Sequence, residues 1–311
     1  ATKTEKIEES RAFNAKAGNY CKAWFGATDR KKLKDAHYWL TGSILFTGGE
    51  WAATVECYQE LFKRWPRPAL DGEKETSALH SKYDRAEARV GFALWKQGKH
   101  KQALDVLLPL SQTVYAMTRG KTRTMRGVFK ERVRDKALNK WFVVIEVDGK
   151  EERWLELSRA GSSFNCVPDA KKDNFSDTDR RDLARTMMRD PMVVHAAAYA
   201  SWDLYQETKD EKLLADTVTS AFNELRYTMH KAVDDSQWKT LCLDTRFEQT
   251  DYVLARWDGD LAYLRLKMAR EEWGEVAGDI ETMKQLKTFD QAPKPVQEEL
   301  NEILKEAKGK Q

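Results

Sequence analysis

"GSILFTGGEWAATVECYQELFKRWP", residues 42–66, sets two amphipathic stretches on either side of a Gly-Gly pair and closes on a proline. Before the pair, Leu33, His37, Leu40, Ile44 and Leu45 recur at helical spacing. After it, Trp51, Val55, Tyr58, Leu61 and Phe62 do so again. Glycine takes up the left-handed conformation that stops one helix and lets the next begin at once. Pro66 and Pro68 cannot extend the second helix, because proline has no N–H and clashes with the preceding turn. The stretch predicts an antiparallel helical hairpin.

Working outward, "RAEARVGFALWKQGKHKQALDVLLPLSQTVY", residues 85–115, predicts a second hairpin with "KQGKH" in the place of "FTGGEW". Setting Gly42 on Gly91 places Gly49 on Gly98, Trp51 on His100, Thr54 on Ala103 and Tyr58 on Leu107. This pattern resembles the tetratricopeptide repeat (TPR), a 34-residue helix–turn–helix unit in which small residues let paired helices approach. Residues 35–68 carry the resemblance through Tyr38, Gly42, Gly49, Tyr58 and Pro66, and depart from it at Thr41 and Thr54. Residues 84–117 carry it through Gly91, Gly98 and Ala103, without an aromatic at Leu107 or a late proline. The interval from Gly42 to Gly91 exceeds the repeat period, so extra residues belong to the loop between the units.

Two later stretches, 195–225 and 261–286, again read helix, polar turn, helix, and Glu272-Trp273 mirrors Glu50-Trp51. A charged final helix starting near Pro295 suits the polar cap of a repeat array. One segment departs from the helical theme. "WFVVIEVDGKEERWLEL", residues 141–157, joins two strand-like runs through Asp148-Gly149, a strong hairpin signal. Residues 158–176 read as a long loop that ends at Ser176, the cap of the next helix. The expected fold is mainly α: a TPR-like α–α superhelix (α-solenoid) of antiparallel helix pairs with an inserted β-hairpin near residues 141–157. Its expected parts are an N-terminal repeat block at 1–117, a basic segment, hairpin and loop at 118–176, and a C-terminal repeat block with capping helix at 177–311.

Composition narrows the function classes. Charged residues make up 33% of the 311 and aromatics 11%, which describes a water-exposed surface over a real core rather than disorder. The longest nearly apolar run, "MVVHAAAYA", has nine residues and falls far short of a membrane span, so a soluble protein is expected. The first residue is Ala1, an end that signal-peptide removal and methionine excision both produce, so cytoplasmic and exported locations stay open. Cys21, Cys57, Cys166 and Cys242 form no C-x-x-C pair and read as buried thiols, with one long-range disulfide open if the chain is exported. Five histidines form no metal motif, and His100 and His195 read as packing residues. Phosphate-binding glycine loops and nucleophile elbows are missing, so neither an enzyme nor a cofactor is expected.

What the resemblance implies is partner binding. TPR-like arrays capture other proteins on a concave face, which by position presents Trp39, Ser43, Phe46 and Thr47 from the first unit. The second presents Arg85, Ala88, Phe92, Trp95 and Lys96. Aromatic rings beside cations suit an acidic peptide or helix, and the same rings equally suit packing against a neighbouring helix. A scaffold or adaptor, or a structural subunit of a larger and self-assembling complex, is the first functional expectation. The alternative is a binder of an anionic surface (nucleic acid, acidic lipid or acidic protein). It rests on residues 118–141, where nine cations meet two acids in a chain whose total is +3. Its contact residues are Arg119, Lys121, Arg123, Arg126, Lys130, Arg132 and Arg134. The same stretch reads equally as a solvated helix.

Overall fold

The computed structural model describes residues 3–68, 76–117, 123–147, 149–160, 163–169, 184–228 and 249–311. Helices α1 (Lys3–Ala27), α2 (Asp35–Thr47), α3 (Trp51–Arg64), α4 (Thr76–Lys96) and α5 (His100–Ser111) come first. α2 with α3, and α4 with α5, form the two predicted hairpins. Gly49 and Gly98 sit at φ +76° and +71° in the turns. In each turn paired N–H groups reach back to the preceding helix: Gly49 to Phe46 and Glu50 to Leu45, then Gly98 to Trp95 and Lys99 to Leu94. The packing repeats as well. A Cβ added at Gly42 would lie 2.5 Å from the Tyr58 ring, and one at Gly91 would lie 2.6 Å from Leu107. The alignment of the two units is thus a physical equivalence, with a hydrogen side chain facing a large partner in both.

After α5 the chain leaves the helical pattern and builds a closed barrel. Its strands are β1 (Thr113–Met117), β2 (Arg123–Asp135), β3 (Lys140–Val147), β4 (Lys150–Ala160), β5 (Ser163–Pro168) and β6 (Arg185–Arg189). Each strand pairs antiparallel with the next, and β6 closes on β1 with Val114 opposite Arg189. Among the described residues the closed ladder gives every strand a neighbour on both sides, so the sheet has no edge strand. Val114, Ala116, Val143, Ile145, Trp154, Phe164, Cys166 and Met187 fill the interior.

The barrel corrects the expected α-solenoid with a lone hairpin at 141–157. That hairpin exists, with Val147 opposite Lys150 and Gly149 at φ +74°, but it is only the middle pair of strands. An isolated hairpin is marginal in water, and closing it into a barrel buries both sides of the problem at once. The residues read as a charged helix form β2, and part of the expected loop forms β5. Their alternation is masked for three reasons. A register shift between Phe129 and Glu131 changes the phase of β2. Arg132 occupies an inward position opposite Val143. β5 and β6 are short, and the inward face of β6 carries Arg189 beside Met187.

β6 runs into α6 (Pro191–Thr208) through Asp190, whose buried carboxylate accepts the N–H groups of Met192 and Val193 at 2.8 and 3.2 Å. Asp followed by Pro is a helix start, and here it returns the chain to helix. α7 spans 211–228 and contains a π turn at Leu214–Val218. α8 (Gln249–Ala269), α9 (Trp273–Gln285) and α10 (Lys294–Lys310) complete the chain. α6 shares its core with the first hairpins, since Val193, Ala196, Ala197 and Ala200 join Tyr58, Ala93 and Leu107. α8, α9 and α10 enclose a second core around Val276, Ile280 and Leu300. The α8–α9 turn repeats the earlier geometry, with Glu271 at φ +59° where the first turns have glycine.

Cys21 is half-buried, Cys57 and Cys166 are buried, and all three are free thiols; Cys242 lies outside the described residues. Burial pushes the Cys57 and Cys166 thiols up to about 12. Among the described residues no helix is long and apolar enough to cross a membrane.

Two substitutions probe the turn and the crossing. Gly91→Ala forces its new methyl into Leu107 and should lower unfolding free energy by about 1–3 kcal/mol in urea titration. Glu271→Gly relieves left-handed strain and should raise it by up to about 1 kcal/mol.

Candidate functional site

The residues expected to line a concave groove are largely consumed by packing. Ser43, Phe46 and Ala88 are buried. Phe46 meets Trp51 and Phe92 edge-on, with centroids 5.7 and 5.6 Å apart. Trp95 stacks on Tyr199 of α6 and donates its indole N–H to Asp203 at 2.7 Å. Trp39 packs edge-on to Tyr83 at 5.1 Å, under the Lys82 ammonium. Lys96 covers Trp95 at 4.2 Å, and Arg85 is half-buried on α4. Tyr199 and Asp203 of α6 therefore meet Trp95 at a position that the resemblance allots to a ligand, while Phe92 packs among Phe46, Trp51 and Trp95.

The basic segment lies along the barrel wall. Arg119 and Lys121 fall outside the described residues, and Arg123 opens β2. Lys130 pairs with Glu146 at 2.7 Å. Arg132 grips Glu156 with two hydrogen bonds of 2.6 and 2.9 Å, beneath the Trp141 ring. Arg134 is exposed and donates to Asn139. Arg126 turns toward the helices.

That turn leads to the best-built polar site, at the junction of helices and barrel. Asp84 of α4 is fully buried and accepts from Arg67 at 2.7 Å and from Arg126 at 2.8 and 3.1 Å. The Tyr115 hydroxyl of β1 donates to Oδ2, the oxygen that also accepts from Arg126 Nε. Burial alone raises the pKa of a carboxyl; Arg126, Arg67 and Tyr115 together outweigh it and hold Asp84 below the ordinary range. Arg67 also bridges to Glu87 at 2.8 Å, whose carboxyl burial pushes upward despite that partner. Sequence reading overlooks Asp84, although a signal was available. It falls on the same helix face as Ala88 and Gly91, an acid set on an apolar stripe.

Beside this network opens a groove of about 800 Å³ between the hairpins and the barrel. Phe62 of α3, Val90 of α4, Val106 and Leu110 of α5 and Val128 of β2 form its apolar surface. Arg67, Glu87, Asp105 and Arg126 supply its charge. Its size lies within the range of ligand pockets.

The histidines lie elsewhere. His195 Nε2 is 2.7 Å from Asp258 and its ring packs on Tyr199, linking α6 to α8. His100 Nδ1 lies 3.0 Å from Glu207. Among the described residues no group of three or more His, Cys, Asp and Glu is placed to hold a metal.

A scan against protein-family models, a search of curated proteins and a search of solved structures each returned no match. Function is therefore argued from the geometry of the site itself.

Asp84→Asn leaves the half-buried Arg126 without its counter-charge and should cost about 1–3 kcal/mol in urea unfolding at neutral pH. The pH dependence has a definite sign. A depressed carboxyl contributes its full stability above the unfolded-state value and loses it as pH falls through the folded-state value. Wild type and variant should therefore converge in acid.

Proposed function

We propose that the chain is a non-enzymatic scaffold that captures a partner protein by an apolar segment laid in the groove between the helical hairpins and the barrel. One observation carries this reading: a sizeable apolar groove whose walls come from two separately closed units joined by a buried ion network. Such a groove is held open before binding, so little ordering entropy is lost when a ligand enters. The hairpins themselves resemble tetratricopeptide units, whose common use is protein capture, and this supports the same reading.

The charge around the groove describes the partner. Arg67 and Arg126 are matched by Asp84 and Glu87, which leaves Asp105 as the exposed charge at the α5 rim. A segment with apolar anchors and neutral or basic flanks suits this balance better than an acidic one. Because the affinity comes from burial, it falls only modestly with ionic strength, unlike polyelectrolyte binding.

The test is a display selection of peptides on the folded protein, followed by titration of the winners against Val106→Arg. Val106 is half-buried on the groove wall, so the substitution blocks the groove while its long side chain reaches solvent. Affinity should drop at least roughly tenfold, an effect of about 1.4 kcal/mol, with circular dichroism unchanged. Equal binding by the folded variant would remove the groove from the reading.

A further inference from the structure

α1 presents one face to the molecule and another to water. Gly18, Cys21 and Phe25 face α2: a Cβ at Gly18 would lie 2.8 Å from the Gly48 backbone, the Cys21 thiol reaches the Thr41 carbonyl, and Phe25 is buried against Tyr38. Away from that contact stand Phe13, Tyr20 and Trp24, with 72%, 79% and 45% of their surface exposed. At about 100° per residue, these three positions fall within roughly 40° of arc. They form an aromatic stripe on a helix whose principal neighbour is α2.

We propose that this stripe is a self-association surface, on which α1 of a second copy lies antiparallel about a two-fold axis. Phe13 and Tyr20 flank Ala17 and Lys16, so an axis between those two sets Phe13 of each copy beside Tyr20 of the other. Ala17 at the centre lets the backbones approach. The same ring pair then occurs twice, as an isologous interface requires.

The exposed area favours a protein of this kind. At about 200 Å² per aromatic side chain, the three rings leave roughly 400 Å² in water on each copy. Two copies remove about 800 Å², and the helix flanks bring the total to roughly the 1,000 Å² that a specific interface needs. About this axis Glu9 of each copy lies beside Trp24 of the other, and the two Lys16 side chains stand at the edge of the stripe, about 60° from its centre, from where their ammonium groups reach water. An anionic lipid surface fits less well. Lys22 is held by Glu50, and Arg30 by Glu56 and Glu60, so these two cations are already neutralised.

Sedimentation equilibrium of the full chain, alone and as the Phe13→Ser/Tyr20→Ser double variant, tests the proposal. Both residues are exposed, so the variant keeps its fold by circular dichroism. The wild type should be a dimer at micromolar concentration, and the variant should dissociate at least roughly tenfold more readily. Ala17→Cys in a Cys21→Ser background should yield a covalent dimer on mild oxidation, because the two thiols meet near the axis. A wild type that is monomeric at 100 µM (about the upper end of such an assay), or a dimer that persists unchanged in the double variant, overturns the proposal. So does a monomer that floats with phosphatidylglycerol vesicles through the same rings, which would assign the stripe to lipid.

Discussion

A carboxylate with no access to water must be matched by cations, and around Asp84 that requirement organises the molecule. Its partners come from three places in the chain: Arg67 just after α3, Tyr115 on β1 and Arg126 on β2. Asp84 gathers all three donors only when the hairpins and the barrel sit in one relative position, because Tyr115 and Arg126 come from strands. Apolar contact tolerates sliding, whereas a bidentate guanidinium does not. The groove beside Asp84 inherits its shape from this constraint, since Arg67 and Arg126 are at once members of the network and parts of the groove wall.

The hairpins are legible in the sequence because their determinants are local. A left-handed glycine, a small residue at a crossing and a proline beyond the helix act over a few residues, and Gly42, Gly49, Gly91 and Gly98 mark them openly. The α8–α9 turn shows the limit of that code, because Glu271 adopts the same backbone without the glycine that would announce it. The barrel is hidden for the opposite reason. Its closure depends on pairing β1 with β6, far apart in the chain, and its inward face carries Arg132 and Glu156, whose charges cancel only once folded.

The candidate groove was equally hard to see. Of the aromatic residues expected at a ligand surface, Trp95 stacks on Tyr199 of α6 and Phe92 packs among Phe46, Trp51 and Trp95; a sequence cannot distinguish a ring waiting for a partner from one packed on its own chain. The apolar wall that remains open is built chiefly from Phe62 and Val106, half-buried residues of ordinary helical periodicity. What singles them out is the barrel standing opposite, which denies them a further helix to pack on.

The ladder partnership of Val114 with Arg189 places the chain's entrance to the barrel and its exit one strand spacing apart, about 4.8 Å. α5 and α6, which pack directly, are separated in sequence by the entire barrel. Bringing two helices together across so long an intervening stretch carries a loop-closure entropy cost. Once the sheet has closed on itself, that cost is already met, and the two helices meet as though joined by a short connector. The barrel thus behaves as a staple in the helical array, shortening the effective contour between its halves while also forming one wall of the groove beside the hairpins.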